Sequence, residues 1–504
     1  MPKVAEVAEV AKVVVMPPTL VRKDPSTWLT SRMDSWANSG HRDLHLDLRA
    51  AITPGARGAR ELLLTALRDA VRSGRLAPGT VLPPSRSLAL DVGLARNTVA
   101  EAYAELVAEG WLASRRGAGT WVVNTSAAQR PARPRGVRVV PTHNLLPGNP
   151  DVAEFPRNEW AAATRRALTN APTEALRMGD PRGRPELRDA LADYLARVRG
   201  VRTSPDSIVI CAGVRHAVEL MGRVFGPQRP IAVEAYGLFV FRDALDAIGI
   251  PTVPIGLDDR GAVVSELDEL DVPAVLLTPA HHNPFGMPLH PSRRTAVVEW
   301  ARRTDGYVMD DDYDGEFRYD RQPIGALQAL SPERVIYLGS VSKSLSPALR
   351  LGWMVLPTDL VDAVIAAEGG EQFYVDVIAQ LTMAEFITSG GYDKHIRRMR
   401  LRYRRRRDVV VGALSAADVS IRGLDAGLNL TLTLPDGAEQ EVLQRAGEAG
   451  VGISGLAIMR HPQAGAEVPR PDGLVVGFGT PAEHTFGAAI DALRAVLSAS
   501  GLGG

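Results

Sequence analysis

Lys343 stands between Ser342 and Ser344 in the stretch YLGSVSKSLSPALRLGW, just after an apolar run, and Arg350 follows seven residues on. A lysine amine is a poor nucleophile at its ordinary pKa, but in a tuned site it forms Schiff bases with carbonyls. Groups of matching chemistry precede it. In YVMDDDYDGEF, an expected strand from Gly306 to Met309 ends in Asp310, Asp311 and Asp312. An aspartate at such a point can hold a pyridine nitrogen protonated. Tyr313, two residues after Asp311, lies on the same side of an extended chain and can reach a phenolic oxygen. In TPAHHNPFG, Asn283 is a second donor beside the turn-forming Pro284. CAGVRHAVELM follows a strand and opens a helix, so Gly213, Val214 and Arg215 can offer backbone N–H groups to a phosphate. Ser340, Ser342 and Arg350 add hydroxyls and a charge. A lysine, a pyridine partner, phenol donors and a phosphate cradle are the four needs of pyridoxal 5'-phosphate (PLP). Each piece alone is weak, since a lysine between serines is ordinarily a solvated loop. The ordered set between Gly213 and Arg350 is what is specific.

These residues need a rigid frame. Strand-like runs (DSIVICAG, RPIAVEA, VPAVLLTPA, DGYVMDDD, RVIYLGS) alternate with helical patterns such as ELRDALADYLARVRG and RRTAVVEWARR. That alternation predicts an α/β unit with a mainly parallel sheet covered on both faces. Upstream, NTSAAQRPARPRGVRVVPT carries three prolines, four arginines and no acidic residue, the composition of a linker. The expected division is a tail over 1–45, a small unit over 46–123, a linker over 124–142 and the large unit over 143–504.

The small unit reads as helix, helix-turn-helix and basic hairpin. ARELLLTALRDAVRSG gives a helix with Leu63, Leu67, Ala70 and Val71 on one face, ended by Gly74. A helix over Pro84–Val92, a turn at Gly93 and a second helix over Arg96–Glu109 follow, the latter burying Val99, Tyr103, Leu106 and Val107. LASRRGAGTWVV is a two-stranded hairpin with Gly117 and Gly119 at its tip. This is a winged helix. Arg96, Asn97 and Thr98 open the helix that would enter a major groove of double-stranded DNA. Ser85 and Arg86 start the first helix, and Arg115 and Arg116 load the wing.

Composition bounds the remaining classes. The chain has 504 residues with 58 Lys+Arg and 58 Asp+Glu, so the overall charge indicates no polyanionic partner. The distribution does: from Arg57 to Arg138 there are 13 Lys/Arg against 6 Asp/Glu. A single cysteine, Cys211, excludes internal disulfides and a cysteine zinc site, and suits a reducing cytoplasm. No apolar run approaches the roughly 18 residues that span a membrane. The opening MPKVAEVAEVAKVVVMPP is too charged for a signal-peptide core. The run Arg397–Arg407 reads as a solvated helix face paired with acidic neighbours, with an auxiliary DNA contact as the alternative.

From about Leu44 to the C-terminus, these motifs resemble those of the MocR/GabR family. Its regulators join a GntR-type winged helix to an aspartate-aminotransferase-like (fold type I) domain. PPSRSLALDVGLARNTVAEAYAELVAEGWL, LLPGNPDVAEFP, GDPRGRPELRDALADYLARVRGV, DDDYDGEF, SVSKSLSPALRLGW and HIRRMRLRYRRRRD carry the resemblance. It implies that Lys343 is the Schiff-base lysine, Asp311 the pyridine partner, Tyr313 and Asn283 the phenolic-oxygen partners and Arg350 a phosphate ligand. It further implies a DNA-binding transcriptional regulator with PLP as effector or sensing cofactor, nearest to the regulators of vitamin B6 synthesis, and a head-to-tail homodimer. The chain departs from the pattern at several positions. Ala95 replaces the usual serine before Arg96. Asn283 is the aminotransferase residue. Leu238 stands where an aromatic should cover the ring, with Phe239 or Tyr236 as substitutes. Met178 replaces a tyrosine that reaches the partner's phosphate. Val475 replaces the arginine that clamps a substrate carboxylate, leaving Arg460 or Arg470 as replacements. The alternatives are an active PLP-dependent aminotransferase, a regulator sensing an amino acid such as GABA or taurine, and a PLP-free regulator that uses the fold to dimerise.

Overall fold

The computed structural model describes residues 58–123, 141–319, 324–370 and 375–503. The expected tail over 1–45 and nearly all of the expected linker lie outside these residues. The chain divides into two compact units, Met1–Arg138 and Val139–Gly504.

In the first unit α1 (Ala59–Arg72), α2 (Ser85–Val92) and α3 (Arg96–Ala108) enclose one core. Leu63, Leu64, Leu67 and Ala70 of α1 meet Val99, Ala102, Tyr103 and Leu106 of α3. Val71 and Val107, expected inside, are only half-buried, because Leu64 and Ala102 take the centre of each stripe. The Tyr103 hydroxyl donates to the Pro83 carbonyl at 2.9 Å and ties α3 to the entry of α2. The wing is β2 (Leu112–Arg115) and β3 (Gly119–Val122), and it is not two-stranded: β1 (Val81–Leu82) pairs antiparallel with β3. Two residues are too short a run to show a period of two, so β1 was invisible to pattern.

The second unit is built on a seven-stranded sheet. After α4 (Pro185–Arg199) its strands are β4 (Ile208–Cys211), β5 (Ile231–Glu234), β6 (Thr252–Ile255), β7 (Ala274–Leu277), β8 (Tyr307–Asp311), β9 (Val335–Ser340) and β10 (Gly352–Val355). Their order is β4-β10-β9-β8-β7-β5-β6, parallel except for β10, which runs antiparallel to both neighbours. Successive side chains feed opposite cores. Val209, Met309, Ile336 and Leu338 enter one, and Ile208, Val308, Val335 and Tyr337 enter clusters on the other face. Burial on both faces explains the unbroken apolar runs of the sequence. β8 extends to Asp311, two residues beyond Met309, because Asp310 and Asp311 continue the ladder with Tyr337 and Leu338. Helices α5 (Val214–Phe225), α6 (Phe239–Ala247), α7 (Pro291–Thr304) and α8 (Gly391–Leu414) follow, and a second sheet carries β11 (Asn429–Thr433) and β12 (Gly473–Gly477). Within the α8 arginine run, Arg402 and Arg406 pair with Asp151 and Glu483, and Arg407 with Asp425. No helix among the described residues is long and apolar enough to cross a membrane.

Candidate cofactor-binding site

The parallel strands end together, and a cavity of about 330 Å³ opens at their C-terminal edge. Ligands bind there in open α/β sheets, because the loops that follow the strands converge. All ten residues singled out for the cofactor line this cavity: Gly213, Val214, Arg215, Asn283, Asp311, Tyr313, Ser340, Ser342, Lys343 and Arg350. They come from the ends of β4, β7, β8 and β9, separated in sequence and joined by the sheet.

Lys343 follows β9 by three residues. Its ammonium donates to the Gly148 carbonyl. Burial lowers its pKa, with the negative charges of Asp311 and Asp314 opposing that shift. Asp311 closes β8. Burial raises its carboxyl well above the carboxylate range, and the Lys343 charge only partly offsets it. Its side chain makes no hydrogen bond among the described residues, and Oδ1 is fully shielded from solvent. A buried carboxylate without a donor is costly, so the pocket holds an acceptor waiting for a cationic or protonated group. On the other side Gly213, at φ 100°, precedes α5. A side chain at Gly213 would stand 3.8 Å from Arg350 Nη1, and one at Gly352 would stand 2.7 Å from Gly213 Cα. The helix N-terminus therefore sits close against the sheet with Arg350 beside it, a cradle for a phosphate. These residues fit PLP: an amine, an unpartnered carboxylate and an anion cradle share one cavity.

Tyr313 reaches the cavity and bonds to His281 Nδ1 at 3.1 Å. Leu238 and Phe239 both line the cavity, and Tyr236 does not. The Tyr236 hydroxyl donates to the Pro469 carbonyl at 3.0 Å, and its ring packs edge-on to Phe285. Of the two substitutes for the missing aromatic, Phe239 is the one at the site. Met178 is 69% exposed. Val475 lies in the core of β12, opposite Thr431. Neither proposed replacement for its arginine lines the cavity. Arg460 Nη2 is held by the carbonyls of Ala464, Gly465 and Val468, and Arg470 is exposed.

Sequence reasoning missed Glu234, Thr278, Arg242, Asn429 and His461, which also line the cavity. Arg242 lies three residues after Phe239 on α6, a spacing that puts both on one face, so it was accessible to pattern. Asn429 and His461 come from distant segments and left no local signal.

The comparisons agree with this geometry. Residues 143–458 match the aminotransferase class I and II family, and residues 61–122 the gntR family of bacterial regulatory proteins. The chain is 33% identical over 447 residues to the HTH-type pyridoxine biosynthesis transcriptional regulator PdxR of Corynebacterium glutamicum, covering 87% of this chain and 96% of that protein. It is 29% identical to the probable rhizopine catabolism regulatory protein MocR of Rhizobium meliloti, covering 86% of this chain and 92% of that protein. The chain belongs to the MocR family of GntR-type regulators. The fold of its large unit is similar to kynurenine aminotransferase of Pyrococcus horikoshii. The TM-score is 0.63 at 28% identity, over 71% of this chain and 91% of that one.

In this MocR-family regulator the winged-helix residues singled out for DNA lie at the starts of two helices and on the wing. Arg86, Arg96, Asn97, Arg115 and Arg116 are exposed, with Ser85 and Thr98 half-buried at their helix starts. None of those four arginines has an acidic partner among the described residues. Two acidic side chains of the unit are engaged elsewhere: Glu105 and Glu109 pair with Arg60 and Arg68 of α1. Helix α3 begins at Ala95 with no side-chain cap.

Proposed function

We propose that this regulator binds operator DNA through the winged helix and holds PLP on Lys343, with PLP as its effector and vitamin B6 synthesis under its control. The observation that carries this reading is the buried carboxyl of Asp311, with no hydrogen-bond partner among the described residues, in one cavity with the amine of Lys343. PLP supplies an aldehyde that condenses with an amine and a ring that withdraws electrons when its nitrogen is protonated. In this reading Lys343 bonds the aldehyde carbon and Asp311 accepts the ring N–H. Tyr313 and Asn283 donate to the phenolic oxygen. Gly213, Val214, Arg215, Ser340, Ser342 and Arg350 hold the phosphate. Ser85, Arg86, Arg96, Asn97, Thr98, Arg115 and Arg116 meet DNA. A head-to-tail homodimer in the cytoplasm completes the reading. The likeness to the pyridoxine regulator supports the effector assignment. The buried Val475 argues against a working aminotransferase, because no arginine stands at the carboxylate-clamp position. The test is the absorbance of dialysed protein at about 420 nm, a band that Lys343→Ala should abolish.

One observation favours amino-acid sensing instead. Arg242 lines the cavity, has no acidic partner among the described residues and makes one long bond, 3.4 Å, to the Arg460 carbonyl. An effector carboxylate would satisfy it.

A further inference from the structure

The hydroxyl of Tyr313 has one proton and more than one group competing for it. Nδ1 of His281 lies 3.1 Å away. The carboxylate of Asp314 also acts on this hydroxyl, raising its pKa. The hydroxyl can also face the cavity, which Tyr313 lines. His281 Nδ1 also stands 2.8 Å from Oδ2 of Asp314. Both side chains are buried, at 4% and 2% exposure.

A buried carboxylate requires a donor. The nearest ring nitrogen is Nδ1, so Nδ1 carries a hydrogen and gives it to Asp314. A nitrogen bearing that hydrogen has no lone pair to accept the Tyr313 proton. With Asp314 supplied by His281, the Tyr313 proton is free for an acceptor in the cavity. The imidazole is held in place on both sides. A side chain at Gly427 would stand 2.6 Å from His281 Cε1, and one at Gly286 would stand 3.2 Å from Nε2. The His281 and Tyr313 rings stack with centroids 6.0 Å apart.

We infer that His281, oriented by Asp314, is a positioning residue that turns the Tyr313 proton into the cavity. The inference rests on the reading above, in which Tyr313 donates to the phenolic oxygen of PLP. Other charged and titratable groups face this cluster. Asp311 and Glu234 act on Tyr313, Lys343 faces Asp311 and Asp314, His282 adjoins His281, and Arg318 reaches the Ala280 carbonyl. Burial first, and then the charges of Asp314 and Asp311, hold the Tyr313 hydroxyl well above the usual phenol range, so it stays a donor. Without His281, Asp314 would lose the donor it has at 2.8 Å, and the Tyr313 hydroxyl, on which its charge already acts, would turn toward it and away from the cavity. The phenolic oxygen of bound PLP then loses a donor and becomes more basic. With PLP on Lys343, the visible band of the holoprotein would then keep its protonated form to higher pH.

The test is a pH titration of the visible band of the holoprotein. His281→Leu and Tyr313→Phe should each raise the midpoint by on the order of one pH unit. The double variant should move it no further, because both changes remove one hydrogen bond. His281→Asn, whose amide can still donate to Asp314, should return toward wild type. His281→Met serves if leucine is not accommodated. A midpoint that moves for Tyr313→Phe but stays for the His281 variants overturns the inference, and so do additive shifts. A wild-type holoprotein with no visible band is a different result: it removes the PLP reading, and this inference with it.

Discussion

Arg199 and Asp312 are joined by two bonds, Nε to Oδ2 at 2.5 Å and Nη2 to Oδ1 at 2.9 Å, in almost complete burial. Tyr337 adds a third bond to Asp312 at 2.8 Å. On the other side of Asp311, Asp310 accepts from the Leu327 backbone N–H at 2.7 Å. Three consecutive carboxylates thus separate into two that serve the frame and one, Asp311, left for the cavity. The roles predict opposite variants. Arg199→Leu strands a buried charge and should cost about 3–5 kcal/mol. Asp311→Asn replaces a carboxyl to which the fold gives no hydrogen bond, so it should cost little stability while PLP is lost on dialysis. Urea denaturation reads the first effect and absorbance at about 420 nm the second. A badly destabilised Asp311→Asn that still retains PLP would contradict this division.

Glu234 gives a pH dependence. Burial pushes its carboxyl up to about 8, although Thr278 donates to it through N–H and hydroxyl at 3.1 and 2.8 Å. In the unfolded chain it titrates at about 4.3. Between those values the native protein keeps a proton that the unfolded chain has released, so stability falls as pH rises. The contribution is complete below about 4.3 and lost by about 8. Burial also holds Glu316 and Glu368 at about 7, so they act in the same sense. Glu234→Gln keeps an acceptor for Thr278 and should flatten the profile by up to about 1.4 kcal/mol per pH unit between them. An unchanged slope in urea melts across that range would remove Glu234 from the account.

The winged helix separates base reading from phosphate contact. Arg96 is exposed at the N-terminus of α3 and Arg116 at the wing. Arg96→Ala should lose about 1–3 kcal/mol of operator affinity, the worth of a bidentate base contact. Arg116→Ala should reduce the salt slope by about one. Gel shifts on the operator over a salt series distinguish the two. Full binding by the double variant rules this face out.

Ala95 allows a gain. Helix α3 starts without a side-chain cap, so the hydroxyl of Ala95→Ser can accept from an N–H of the first turn. It should stabilise the winged helix by about 1 kcal/mol. The thermal transition of the N-terminal unit measures it, and a fall in that transition would show that the serine is misdirected.

What the sequence disclosed and what it withheld follow from range. Lys343, Asp311 and Gly213 each sit where a strand gives way to a loop or helix, so local pattern placed them and order linked them. The strand β10 was missed, although Gly352–Val355 is as apolar as its neighbours, because it follows Lys343 so closely that it read as part of the loop. The arginine run divided by partner: Arg402 and Arg406 are tied to Asp151, about 250 residues away in sequence and beyond any local pattern. The relay through His281 was hidden for the same reason. Its cage needs Gly427, and only the fold brings that residue over TPAHHNPFG.

The effector question turns on Val475. A carboxylate taken from water without a partner is costly, so a bound amino acid needs a fixed cation. Val475 is sealed in the core, Arg460 is occupied by carbonyls and Arg470 is exposed away from the cavity. PLP needs no such clamp, since in the proposed reading Arg350 and the start of α5, which line the cavity, would face its phosphate. PLP should therefore change operator affinity by about 1–3 kcal/mol, the usual size of coupling between two sites. GABA, taurine and alanine should leave the visible band of the holoprotein unchanged. Gel shifts with and without PLP, beside spectral titration with those amino acids, decide the matter. A band that shifts at millimolar amino acid, in a protein whose operator affinity ignores PLP, would overturn the assignment. If Arg242→Gln then abolishes that shift, Arg242 holds the carboxylate and the regulator senses an amino acid.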